Sequence, residues 1–573
     1  MLCFLATLVP LLRGALFASI FGATACALQA EQAMQDSAPA GAGVPPASMA
    51  AINAVDLAQH VRVLASDSYQ GRFPGTTGEA RTLAYLSAGF ARAGLEAPYA
   101  GSYLQGVPLA SLLVEARSSL AVTSVDGGRR VDFAFPDDVL LGGLAAGGHD
   151  NLHDSPIVFV GYGIHAPERN WDDYADVNVS GRTVLALWGE PAAFGDGGSH
   201  HGTLFGKRQA AAAQGAAGFL VIPQPSADSL PWSVYADHAR QPSHAIAGEP
   251  TPLGRLLRGT LREERARELL ALADLDLDSL RDEAGVDSHA SYELPLRAHF
   301  DVHAVAEPVF THNVLGVLRG SEHPEECVIY TAHWDHVGQR EDIGGDHIFN
   351  GAVDNATGTS ALLELARVFG ALDTPPARSV VFLATTAEEQ GLLGAHYHAE
   401  NPLFPLGQTV AVINMDALFP FGETKGLTVV GAGRSELDAY LQAAAQSVGR
   451  VAYPDPMPEQ GAFYRSDHYP FASRGVPASF AVGGPAQDPE VNETVDIQRW
   501  VEYVGQHYHR PTDEYDASTW DMAGIVQDVR GFFHAGWQLA NTRHFPNWLP
   551  ESEFRALRDA QRARFSAAGN PSR

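Results

Sequence analysis

Three short apolar runs, 327–330, 379–384 and 409–413, are rich in β-branched residues and carry no polar interruption. That is the pattern of strands buried on both faces of a parallel sheet. Between the first two, residues 359–372 set Ala361, Leu362, Leu365, Ala366 and Phe369 at helical spacing. Strand, helix and strand therefore alternate, which predicts an α/β fold with a mixed, mostly parallel central sheet flanked by helices. A strand at 427–431 and a helix at 436–448 continue the alternation, and 56–64 and 79–93 read as helices ahead of it. A second strand-rich group, 157–163, 183–188 and 218–223, surrounds an Ala-rich helix at 207–214 and is followed by charged helical sequence at 263–284. The tail, 551–565, reads as a charged helix.

Polar residues cluster where the apolar runs end. His333-Trp334-Asp335-His336 follows the first, Glu388-Glu389 the second and Asn414-Met415-Asp416 the third, while Asp354-Asn355 lies in a Gly/Asn-rich loop before the helix. Strand carboxyl ends are where an open α/β sheet builds its site. An imidazole from His333 with carboxylates from Asp354, Glu389 and Asp416 suits zinc better than calcium or magnesium. A carboxylate has two oxygens and can bridge two ions. Glu388 and Glu389 are adjacent and cannot point the same way, so one can bind metal while the other stays free as a general base. Asp335 is positioned to orient a ligand from behind. A further imidazole is expected in Gln506-His507-Tyr508-His509-Arg510. Taken singly, Asp354 also fits a helix N-cap. His336, His347, His396, His398 and His507 read as surface or hydrogen-bonded histidines.

The series HWDH, AVDNATG, AEEQGLLGA, NMDA and YHRPTDEYD resembles the co-catalytic di-zinc aminopeptidase family, which includes bacterial leucyl aminopeptidases, plasma glutamate carboxypeptidase and transferrin-receptor relatives. The resemblance runs from about residue 52 to about residue 533. It implies two zinc ions per chain, one held by His333 and Asp416, the other by Glu389 and His509, with Asp354 bridging. It implies Glu388 as general base, Asp335 as the supporting carboxylate and Tyr508 as a donor to the tetrahedral intermediate. The Asp354-Asn355 peptide is cis in relatives. Ser466-Asp467-His468 resembles a segment lining the substrate cleft, although by chemistry alone Asp467 and His468 also fit a surface pair. The loop with Gly71-Arg72 resembles one that abuts the catalytic domain, and the second strand group resembles an inserted protease-associated domain, serving either as a lid or as a structural insert.

The implied function is an exported zinc exopeptidase, an aminopeptidase hydrolysing N-terminal residues of peptides with a bridging water activated by two zinc ions. A carboxypeptidase or dipeptidase would use the same ions and a cationic anchor, for which Arg434, Arg465 and Arg474 are candidates. A glutaminyl-cyclase-like acyltransferase resembles a one-zinc site without the inserted domain, and a receptor-like scaffold with a dead site is the reading from another class.

Arg13 precedes an apolar run at 15–28, too short to span a membrane and right for a signal-peptide core. Cleavage after Ala27 or Ala30 gives a periplasmic or secreted protein. The alternative is a lipoprotein box, Ala23-Thr24-Ala25-Cys26, with a lipid anchor at Cys26. The partition expected is 1–30 signal peptide, 31–48 disordered linker, 49–145 first part of the peptidase domain, 146–290 inserted domain with return helices, 291–545 second part with the metal site, and 546–573 helical tail. With 38 basic and 67 acidic residues, a net charge of −29 argues against nucleic acid or anionic membranes as partners. Of three cysteines, Cys3 and Cys26 lie in the leader, which leaves Cys327 alone in a strand and no disulfide framework.

Overall fold

The computed structural model describes residues 43–143, 147–195, 198–224, 231–247, 252–286, 290–340, 344–488 and 497–568. The signal peptide, the lipoprotein box and most of the linker lie outside them. The chain divides into two compact units, one comprising Pro108–Val309 with Pro458–Tyr464, the other the described residues up to Val107 with Phe310–Met457 and the rest of the chain from Arg465.

In the second unit the central strand is His323–His333, paired in parallel with Arg378–Thr385 on one side and Thr409–Asn414 on the other. Outward from Thr409–Asn414 come Ala478–Gly484 in parallel, Gly426–Val430 antiparallel and Val451–Pro454 in parallel, and the end of the long strand Tyr292–Leu318 closes the opposite side antiparallel to Arg378–Thr385. The sheet is thus mixed and mostly parallel, as the apolar runs predict. Helices Gly358–Gly370, Leu437–Ser447 and Ala523–Asn541 pack along it.

Packing explains why these runs form strands. Every residue of Arg378–Thr385 and of Thr409–Asn414 is buried. Phe369, on the helix Gly358–Gly370, packs its ring at an angle against Tyr330, Phe382 and Phe533, with ring centroids 5.8, 6.0 and 4.7 Å apart. Burying one such side chain stabilises by about 1.5–3 kcal/mol. The Tyr330 hydroxyl donates to the Phe532 carbonyl at 2.8 Å, which ties the strand to the helix Ala523–Asn541. The helix Ala54–Leu64 begins on an Asn53 cap that accepts from the Val55 and Asp56 amides. The registers His333↔Thr385 and Thr331↔Asn414 bring three parallel strands to a common carboxyl edge.

The other unit is built on a sheet in which Gly148–Phe159, Thr183–Leu187, Gly218–Ile222 and Leu257–Leu261 run parallel in that order, with Val139–Gly142 antiparallel at one end. Residues 292–301 of the long strand pair with Gly148–Phe159 and Ser119–Ser124. The expected 146–290 segment falls inside this unit, since the strands at 119–142 and residues 292–304 pair within it as well. The charged sequence at 263–284 is likewise part of it, forming two helices, Glu263–Ala271 and Leu277–Val286.

Lys207, on the helix Leu204–Ala213, is 1% exposed and donates its Nζ to the Tyr162 carbonyl at 2.5 Å. Burial pushes its amine down to about 7, against the pull of Asp173 and Glu190. An unfolded lysine holds its proton to about pH 10.4. Between about pH 7 and that value the unfolded chain binds more protons, so this residue's contribution to stability rises with pH. Relative to Lys207→Met, the wild-type melting temperature should climb from pH 7 to 9.5; parallel curves by scanning fluorimetry would refute the shift.

Candidate metal centre

The site forms where the three parallel strands end. The strand His323–His333 stops at His333, and its imidazole Nδ1–H donates to the Asp335 carbonyl at 3.1 Å, which turns Nε2 toward the carboxylates. His333 Nε2 lies 3.2 Å from Asp416 Oδ1 and 3.3 Å from Asp354 Oδ1. On the other side, His509 Nε2 lies 2.9 Å from Asp354 Oδ2 and 3.2 Å from Glu389 Oε2. The two oxygens of Asp354 therefore face two different groups. Candidate ligand atoms fall into two sets that share this residue: His333, Asp354 and Asp416 in one, His336, Asp354, Glu389 and His509 in the other. All five candidate ligands are brought together.

His336 corrects an expectation. Read from sequence as a surface or hydrogen-bonded histidine, it is fully buried, with Nδ1 2.8 Å from Glu389 Oε1. The chain leaves the strand after His333, so the alternation that would turn residue 336 away from residue 333 no longer holds. The pair is close but misaligned for a hydrogen bond: neither His336 nitrogen nor Glu389 Oε1 has a hydrogen-bond partner. Lone-pair donors facing one another out of line suit a shared cation.

Glu388 is 1% exposed, and neither of its carboxylate oxygens has a hydrogen-bond partner. Burial pushes its carboxyl well above the usual range; His333 pulls the other way, while Glu389, Asp416 and Asp467 add to the rise. Asp335 accepts from the Glu388 amide at 3.1 Å and the Glu389 amide at 3.4 Å. It thus orients the glutamate pair through its backbone, and its contact to the His333 ring is longer, 3.8 Å. Burial raises the Asp335 carboxyl to about 7. Tyr508 stacks on the His509 imidazole, centroids 4.0 Å apart; burial, followed by the charges of Asp354, Glu389, Glu388 and Asp416, holds its phenol protonated well above its ordinary range.

Asp467 and His468, expected along a substrate cleft or as a surface pair, are both fully buried. Asp467 accepts from the Thr385 hydroxyl, and the His468 ring packs on Phe480 at 5.7 Å.

Several residues hold the loops and were not singled out for it by sequence. Asp513 accepts from the Val353 and Asp354 amides at 3.0 and 3.1 Å and from the Tyr503 hydroxyl at 3.1 Å. The Asp354-Asn355 peptide is cis. Asn355, not Asp354, caps the following helix by accepting from the Gly358 amide at 2.9 Å, and it also ties Met415 and Ala417 to the loop. Arg72, 1% exposed, donates to the carbonyls of Leu64, Trp334, Asn350 and Gly351. Gly351 has φ +56°, and a Cβ there would stand 2.3 Å from the Asp354 carbonyl and 2.5 Å from the His336 ring. Only glycine fits. Among the candidate carboxylate anchors, Arg434 pairs with Glu553 at 3.8 Å and Arg474 with Glu400 at 2.5 Å. Among the described residues no helix is long and apolar enough to cross a membrane.

The chain is 35% identical over 137 residues to the mouse aminopeptidase NAALADL1, 23% of this chain and 17% of that protein. It is 27% identical over 209 residues to the aminopeptidase YwaD of Bacillus subtilis strain 168, 36% of this chain and 40% of that protein. It is 38% identical over 110 residues to a probable zinc metalloprotease of Pyrenophora teres f. teres, 19% of this chain and 23% of that one. The chain thus spans less than half the length of each of these relatives. Among solved structures, the aminopeptidase from Aneurinibacillus sp. strain AM-1 aligns with 87% of this chain and 96% of its own at 16% identity, with a TM-score of 0.48. The profile of peptidase family M28 matches residues 313–532, the stretch that contains both ligand sets.

Proposed function

We propose that the protein is a zinc-dependent exopeptidase, an aminopeptidase that removes N-terminal residues from peptides using two zinc ions. The observation that carries the reading is Asp354, whose two oxygens face separate imidazole and carboxylate sets beside a buried, unpartnered Glu388. The donor chemistry, imidazole with carboxylate, fits zinc, and the relatives are named as aminopeptidases or a zinc metalloprotease. His333 and Asp416 would hold one ion, Glu389 and His509 the other, with Asp354 between them.

When bound, the zinc ions supply a lowered water pKa and polarisation of the scissile carbonyl. Glu388 takes the water's proton on a carboxylate oxygen and returns it to the leaving amine. Its raised proton affinity suits both transfers. Asp335 keeps Glu388 and Glu389 aimed apart by accepting from both amides. The Tyr508 hydroxyl, protonated at neutral pH, is the donor for the developing oxyanion. Export, by cleavage near Ala27 or Ala30 or by acylation of Cys26, belongs to the same reading, as does a protease-associated identity for the strand-rich unit.

Replacing Glu388 by Gln should cut kcat by about 10²–10⁴-fold while the zinc content stays unchanged; a loss within about tenfold on an amino-acyl reporter peptide would remove Glu388 from the base role. Replacing His336 by Ala should weaken zinc retention by about 10–100-fold in a chelator competition, since a group packed against a ligating carboxylate tunes affinity by that much. Retention equal to wild type would leave His336 with a packing role alone.

A further inference from the structure

Outside the candidate metal centre, the strand-rich unit carries a second kind of histidine cluster. Its strand Gly148–Phe159 pairs antiparallel with the long strand Tyr292–Leu318, and His149 is the register partner of His303. Residues directly opposite in such a pair project to the same face, and so does the residue two positions along. Asp301 is that residue. The sequence His299-Phe300-Asp301-Val302-His303 thus alternates ligand types with apolar residues, and Phe300 and Val302 are fully buried on the other face.

The side chains converge. His149 Nε2 lies 2.6 Å and His303 Nε2 3.3 Å from the same oxygen of Asp301, and the two imidazoles are parallel, centroids 4.1 Å apart. A tetrahedral ion with bonds of about 2.0–2.1 Å keeps its donors about 3.3 Å apart; the His303–Asp301 contact already has that spacing, while the shorter His149–Asp301 contact is a hydrogen bond that would open to admit the ion. The backbone under the cluster is fixed: the His303 amide donates to Ser118 Oγ at 2.9 Å, and its carbonyl accepts from the Glu115 amide at 2.8 Å and Ser118 Oγ at 3.1 Å. His299, on the same face, is committed elsewhere, with Nδ1 accepting from the Asp154 amide at 3.2 Å and Nε2 3.1 Å from Thr123 Oγ1. Among the described residues, His149, Asp301 and His303 form the set.

We propose that His149, Asp301 and His303 form a further binding site for a late first-row divalent cation, zinc in particular, separate from the hydrolytic centre. Two imidazoles and one carboxylate select such an ion over calcium or magnesium. Each imidazole would yield its Nε2 to the ion by carrying its hydrogen on Nδ1, and Asp301 exchanges its hydrogen bond to His149 for a bond to the metal. His149 and Asp301 are about half exposed, so the ion reaches the site from solvent. It would fasten two strands whose joined residues are 152 positions apart in sequence, and by binding only the folded form it would stabilise the unit.

The test is a difference measurement on the full chain. Wild type and the His149→Ala/His303→Ala variant are dialysed against buffered micromolar zinc, and metal per chain is counted by mass spectrometry. The site predicts one zinc fewer in the variant, unchanged peptide hydrolysis, and loss of a zinc-dependent rise in melting temperature that wild type shows. Equal zinc counts in the two proteins would overturn it, whatever the count at Asp354. Should circular dichroism show the double variant to be unfolded, Asp301→Asn, which keeps size and shape, decides in the same way: one zinc lost supports the site, none lost removes it.

Discussion

Four carboxylates, Asp354, Glu388, Glu389 and Asp416, meet at the carboxyl edge of one sheet with little or no access to water. Gathering that much negative charge in a low-dielectric setting is unfavourable unless cations or protons compensate it. His333 and His509 compensate part: Asp354 is held well below the ordinary carboxylate range and Glu389 at about 2, burial being outweighed by the imidazoles, whereas Glu388 is left to rise. This asymmetry sets Glu388 apart from Asp354 and Glu389.

The loops exist to keep those charges apart and aimed. Arg72 closes four carbonyls around the Trp334 and Asn350 turns, Asp513 holds the amides of Val353 and Asp354, and Asn355 joins the Asp354 loop to the Asp416 loop. None of these three touches a candidate reacting atom, yet each fixes the backbone from which a ligand projects. Rigid strand ends bearing short, pinned loops are what a site needing sub-ångström positioning calls for.

The sheet and its helices were legible because apolar runs such as 379–384 admit few alternatives: a run that short, that β-branched and followed by a helix has to be a buried strand. The candidate ligands were legible because their types, spacing and order resemble a family pattern. His336 was not, since its position depends on where the strand stops, and the strand stops one residue after Ala332. Arg72 and Asp513 were missed as site organisers because they act mainly through backbone groups more than 150 positions away in sequence. The extent of the strand-rich unit beyond 146–290 was not legible for a related reason: pairing between 119–124 and 296–301 is a long-range choice that local composition does not encode. The buried state of Asp467 and His468 follows from the same kind of tertiary packing.

The claim on which the account turns is that Asp354 bridges two metal ions. Crystals grown with zinc and measured on either side of the zinc absorption edge would test it directly. The account predicts two anomalous peaks flanking the Asp354 carboxylate, about 3.5–4 Å apart, one beside His333 and Asp416 and the other beside Glu389 and His509. A single peak, or none at Asp354, would contradict it.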